Sequence, residues 1–240
     1  MTPLVAVICV ALSQPVTDYF GDSPDLRTPK PTIPSSAATA TGFVPRSWTL
    51  ERAITGDLNR DGRPDLVAVL KGADPICVVR IDDATQPMDT NPRVVLVAFG
   101  GPNGYHLQLV NAAVIPRIDD RYMDDPFDPD ALTIRGDVLR LGLRYWRSMG
   151  GWTTFTSTLA FRWDGTRFRL IGFDKESLQR NSGETETVSA NFVTGRVKTV
   201  TGSMEDDVGS KTRWQKLRQA PTNLETIGDG FSFELPISGH

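Results

Sequence analysis

Asp57, Asn59, Asp61 and Asp65 fall in one short run, Gly56-Asp57-Leu58-Asn59-Arg60-Asp61-Gly62-Arg63-Pro64-Asp65. Their spacing is D-x-N-x-D-G-x-x-D, and the chemistry it suits is the holding of a hard cation. Calcium takes about 6–8 oxygen ligands at roughly 2.3–2.6 Å. Side chains at alternate positions of a tight bend can converge on one centre, and Asp57, Asn59 and Asp61 supply that alternation. Gly62 permits the sharp turn because it has no Cβ to forbid positive φ. The carbonyl of Arg63 then points inward, and Asp65 closes the site directly or through water. Three carboxylates against a doubly charged ion leave the filled loop at one net negative charge. The other reading of the same residues is an acidic surface turn held by Asx hydrogen bonds, with no ion.

The loop is not an EF-hand. That motif places a bidentate Glu at position 12, where this chain has Ala68, and it exits into a helix. Residues 66–70, LVAVL, read instead as a buried strand. An acidic-loop D-x-N-x-D-G-x-x-D that runs straight into an apolar strand resembles the calcium loops of FG-GAP and VCBS-type repeats. Asp57, Asn59, Asp61, Gly62 and Asp65 all match that pattern. The resemblance implies Ca2+ as cofactor, held by Asp57, Asn59, Asp61, Arg63 and Asp65. It covers only about 15 residues, and those families repeat the loop once per unit. This chain has a single copy, which fits one repeat-like unit inside another β-fold better than a multi-bladed propeller. A looser similarity, to a family of bacterial exported proteins, spans most of 50–200. It rests on Thr158-Leu-Ala-Phe-Arg-Trp163, Leu170-Ile-Gly172 and Asn191-Phe-Val-Thr-Gly195, and it implies architecture but no activity.

Other chemistry-bearing residues are sparse. The chain has two histidines, His240 at the terminus and His106. A Ser-His-Asp or Cys-His site would have to use His106. It alternates opposite Tyr105, Leu107 and Leu109, so it is expected to face solvent, and no G-x-S-x-G elbow accompanies it. Zinc lacks sufficient His and Cys ligands. Cys77 lies in the apolar run 76–79 and reads as a small buried hydrophobe. Asp119, Asp120, Asp124, Asp125, Asp128 and Asp130 crowd one segment. They form a solvated acidic loop or a second, looser cation site, and Glu205-Asp206-Asp207 reads the same way. Trp163 and Tyr145 are expected in the core, whereas Trp146 and Trp152 are open to a stacking role. The Gly-rich stretch 100–104 precedes a strand-like run and not a helix, so it is a turn and not a phosphate cradle.

The elements that must position the loop are strands. From Trp48 onward, short apolar runs recur between Gly, Asp, Asn and Pro. Leu139, Leu141, Leu143 and Tyr145 would share one strand face, with Arg140 and Arg144 on the other. Phe155, Leu159, Phe161 and Trp163 repeat the pattern. Asp164-Gly165, Gly136-Asp137 and Thr194-Gly195 read as hairpin turns, so consecutive strands run antiparallel. The best helical candidate is the short segment 211–218. The fold class is therefore all-β, an antiparallel meander of about ten strands forming a sandwich, open barrel or curved sheet.

The 240 residues suffice for one large all-β domain with a tail. Residues 4–12, LVAVICVAL, are too short to span a membrane. They match the apolar core of a signal peptide, although no Lys or Arg precedes them. Residues 1–20 are thus read as a signal peptide, 21–45 as a Pro/Ser/Thr-rich linker, and 46–240 as a single β-domain. The expected location is periplasmic or extracellular, with no membrane insertion of the mature chain. Net charge is −3, from 26 basic and 29 acidic residues, which gives no basic surplus for nucleic acid. The functional expectation is an exported, calcium-stabilised β-domain serving as a binding or envelope-associated module, with a protein or glycan ligand. The alternative is a hydrolase acting on envelope polysaccharide or peptide with carboxylates of the acidic loop.

Overall fold

The computed structural model describes residues 31–79, 87–204, 209–218 and 222–237. Among them are fourteen strands and no α-helix. One sheet holds β1 (Ser36–Ala37), β2 (Trp48–Gly56), β3 (Asp65–Gly72), β6 (Arg93–Gly101) and β7 (Gly104–Asn111), in the order β1-β7-β6-β3-β2. The short β4 (Val78–Val79) and β5 (Met88–Asp89) form a separate ribbon. The second sheet is a seven-stranded meander curled into a half-barrel. It comprises β8 (Leu132–Arg135), β9 (Val138–Tyr145), β10 (Thr153–Trp163), β11 (Phe168–Gln179), β12 (Glu184–Asn191), β13 (Arg196–Ser203) and β14 (Lys211–Lys216). Neighbouring strands pair antiparallel throughout.

The alternations read from sequence place the core. Leu139, Leu141 and Leu143 of β9 are buried, as are Leu159 and Phe161 of β10. They meet Val67, Val69, Val95 and Val97 of the first sheet in one shared core. Leu66, Ala68, Leu70, Val94, Leu96 and Ala98 point the other way and make a second core. β3 and β6 are therefore buried on both faces, which explains their continuous apolar runs.

The cover for that second face comes from the stretch expected to be linker. Residues 1–30, holding the expected leader and the first part of the linker, lie outside the described residues. Residues 31–45 are seated: β1 pairs with β7, and Phe43, in the 3-10 turn Ala40–Phe43, is fully buried against β3 and β6. Among the described residues the packed body thus includes residues 33–44, ahead of the expected boundary at 46. Prolines suggested an unanchored chain, but one aromatic with Ile33 and Val44 supplies enough apolar area to hold it. Phe43→Leu is expected to cost about 1–2 kcal/mol in urea unfolding. An unchanged midpoint would show that this segment contributes no packing.

The helical expectation for 211–218 is corrected. Lys211–Lys216 is strand β14, paired along β13. A helix of so few residues is marginal in water, whereas an open sheet edge offers ladder bonds and buries Leu217. The strand count exceeds about ten because β1, β4, β5 and β8 are too short to show an alternation.

A candidate cation loop joining the two sheets

The hairpin β2–β3 carries residues 57–64 at its tip. Leu58 is buried in the core shared by the sheets, which pins the base of the loop. Asp65, the first residue of β3, is fully buried. Its Oδ2 accepts from the backbone N–H of Leu58 at 2.8 Å and of Asn59 at 3.2 Å. Its Oδ1 accepts from Gly100 N–H at 2.9 Å, across on β6. Burial pushes this carboxyl above its ordinary pKa, the three amides pull it back in part, and the charge of Asp61 adds to the rise.

Above this base, three oxygen-bearing side chains gather. Asp57 Oδ1 and Asn59 Oδ1 both accept from the N–H of Asp61, at 3.1 and 3.0 Å. Asp57 Oδ2 accepts from Gly62 N–H at 3.0 Å. Asp61 Oδ1 accepts from Arg63 N–H at 2.9 Å, and its Oδ2 from Asn59 Nδ2 at 3.3 Å. Gly62 has φ +82°, so a residue with a Cβ would be strained there. Arg60 has φ +64°, unusual for a long side chain. Its guanidinium is held by Asp137 Oδ2, at 2.9 Å from Nε and 2.5 Å from Nη2. Arg162 Nε lies 3.0 Å from the same oxygen. Asp137 belongs to the β8–β9 turn, so the loop is fastened to both sheets.

Gly100 shows how tightly the base is closed. A Cβ there would meet the carbonyl oxygen of Pro64 at 2.3 Å. Gly100→Ala must displace the loop or the end of β6. It is expected to cost about 1–2 kcal/mol, read from denaturant midpoints; a change within about 0.5 kcal/mol would show that the loop yields freely.

The structure thus brings Asp57, Asn59 and Asp61 together, sets Arg63 beside Asp61 through its N–H, and turns Asp65 down onto backbone amides. Among the described residues no three His, Cys, Asp or Glu side chains group to hold a metal. The convergence here depends on two carboxylates and the Asn59 amide. That donor set is all oxygen, which suits a hard cation and not zinc or copper. Sequence reasoning missed Arg60, Gly100 and Asp137, because their partners are set by how strands and sheets meet. The Gly136-Asp137 turn is legible, but nothing local says that it faces this loop.

The acidic segment behaves differently from a cation site. Asp120 pairs with Arg147, Asp124 lies 3.6 Å from Arg144, and Asp130 lies 3.6 Å from Arg52. Asp125 shares the buried Arg93 with Glu51, each at 2.6 Å. Burial opposes the Arg93 charge, yet these two carboxylates hold its pKa above the ordinary value. Asp128 caps the 3-10 turn Pro129–Ala131. Asp124, Asp125 and Asp130 face separate arginines, whereas Asp119 and Asp120 line a small cleft of about 230 Å³ with Asp229, Arg147 and Tyr145.

His106 is exposed on β7, opposite Ser36. Cys77 is buried, with Arg117 Nη2 at 3.2 Å from Sγ. Trp163 packs edge-on to Phe99, Tyr145 stacks on Phe155, and Trp146 lies under Arg180. Trp152 is 62% exposed. Glu205-Asp206-Asp207 and His240 lie outside the described residues. No helix among the described residues is long and apolar enough to cross a membrane.

No family model matches this chain, no curated protein matches its sequence, and no solved structure matches its fold.

Proposed function

We propose that this chain is an exported β-domain that calcium stabilises and that serves as a binding or envelope-associated module. The observation that carries the metal reading is the convergence of Asp57 and Asn59 oxygens on the single N–H of Asp61. Asp57, Asn59, Asp61 and the Arg63 carbonyl would hold the ion, and Asp65 would support it from the buried base. Calcium supplies charge neutralisation there and ties the hairpin tip in place. The five positions shared with FG-GAP and VCBS-type loops support the same reading. Export rests on the apolar run 4–12, and calcium-binding modules outside the cell work with dissociation constants near 10⁻⁴–10⁻³ M.

A hydrolase would need two close carboxylates at one cleft. Asp124, Asp125 and Asp130 are instead spread over Arg144, Arg93 and Arg52, and Asp120, which lines a small cleft with Asp119 and Asp229, is neutralised by Arg147, so a binding role is favoured. The test of the metal reading is the melting temperature of the full chain with calcium and with a chelator. A higher value in calcium is expected, and equal values overturn the proposal.

A further inference from the structure

We propose that the open end of the half-barrel's inner face is a binding groove for a neutral oligosaccharide. Phe173 of β11 is buried in the core between the sheets. Side chains alternate along a strand, so Lys175, Ser177 and Gln179 continue the same face beyond that core. There they line a groove of about 720 Å³ with Glu184, Glu186 and Lys211. The groove crosses from Thr153 on β10 to Lys211 on β14. Four inter-strand spacings make that on the order of 19 Å, the length of an extended chain and not of one small molecule.

The lining chemistry selects the ligand. Among the described lining residues two ammonium groups and two carboxylates balance, and hydroxyl and amide side chains make up most of the rest. Among the described residues no ion pair joins Lys175 or Lys211 to Glu184 or Glu186. The Lys175 ammonium sits 4.1 Å over the Phe155 ring, and Glu184 takes a hydrogen bond from Ser182 Oγ at 3.2 Å. Thr153 Oγ1 donates to Gln179 Oε1 at 3.0 Å and fixes that amide. The Ser177 hydroxyl donates to the Glu186 carbonyl at 3.3 Å, while the lysine ammonium groups and the Glu184 and Glu186 carboxylates set donors and acceptors side by side, which hydroxyl groups can satisfy in both senses. At its end, beside Thr153, Gln179 and Glu184, stands the exposed ring of Trp152. A sugar ring presents an apolar C–H face to such an indole and hydroxyls to the rest. A nucleic acid or acidic glycan would find no basic surplus in this lining to hold its charge.

This inference deepens the binding-module reading and does not require calcium, since the groove lies on the half-barrel and the loop 57–65 on the other sheet. The test titrates the full chain with chitohexaose, cellohexaose and maltohexaose, and with the peptide Lys-Glu-Lys-Glu-Lys-Glu, following tryptophan fluorescence and calorimetric heat. Each titration is run in calcium and in chelator. Saturable binding of at least one hexasaccharide is expected, with a dissociation constant of roughly 10 µM to 1 mM. Trp152→Ala and Glu186→Gln should each weaken it roughly tenfold or more while melting temperatures stay unchanged. No sugar binding at millimolar concentration, binding untouched by both variants, or binding of the peptide alone would overturn the groove. A calcium-insensitive melt with intact sugar binding overturns the metal reading and supports the groove. A calcium-dependent melt without sugar binding does the reverse.

Discussion

Asp65→Ala is expected to remove roughly 3–5 kcal/mol of stability at neutral pH. The wild-type carboxylate is fully buried and serves three backbone donors, the N–H groups of Leu58, Asn59 and Gly100. Truncation leaves those donors facing a small void. Each unsatisfied buried donor costs about 1–3 kcal/mol. Part of that is offset, because the substitution also relieves the burial of a carboxylate whose pKa is already pushed up. The donors come from the loop and from β6, so two connections fail together. Asp65→Asn is the control: it keeps one acceptor oxygen and swings an amide N–H₂ against another donor. It should lose less than the alanine variant but still lose measurably. Urea unfolding checks both, with midpoints falling and slopes unchanged. An alanine variant within about 0.5 kcal/mol of wild type would mean that water or loop relaxation satisfies the amides.

The same residue shows what sequence could and could not reveal. That Asp65 matters was legible from its place in the D-x-N-x-D-G-x-x-D spacing. Its orientation was not, because the Gly100 amide that captures it lies 35 residues away on β6. Local signals performed well where structure is local. The alternation of 139–145 and 155–163 predicted the buried faces of β9 and β10, and the three Gly-containing dipeptides fell in the hairpins β8–β9, β10–β11 and β12–β13. Residues 66–70 were read as a buried strand, and β3 is covered on both faces.

Signals failed where a segment's fate depends on a distant surface. Five prolines in 21–45 argued for an unanchored tail, yet Phe43 finds a pocket over β3 and β6. The segment 211–218 had no strong periodicity of its own, so the exposed edge of β13 decided its conformation. The acidic run 119–130 showed its charge but not its arginines, which arrive from β2, β6, β9 and the segment following β9. Charge type is written locally; charge pairing is a property of the assembled sheets.

The second large effect belongs to Asp61, and it separates metal binding from loop packing. Asp57 and Asp65 hold backbone amides that organise the loop, so their loss would destabilise the fold with or without an ion. Asp61 is exposed, and among the described residues its oxygens serve only Arg63 N–H and the Asn59 amide within the loop's own tip. In chelator, Asp61→Ala should therefore melt close to wild type, lower by about 1 kcal/mol at most. In calcium the two should part. At a calcium concentration about a hundredfold above the dissociation constant, mass action adds roughly 2.7 kcal/mol to the wild type. For a chain of this size that is a rise of roughly 5–11 °C. The variant loses one of the two converging carboxylates and should show little or none of this rise. Magnesium at the same concentration should reproduce little of it, because that ion demands octahedral geometry and gives up water reluctantly. A variant that rises in calcium as far as wild type does would place the ion elsewhere. Parallel losses in calcium and in chelator would leave Asp61 as a packing residue of an acidic turn.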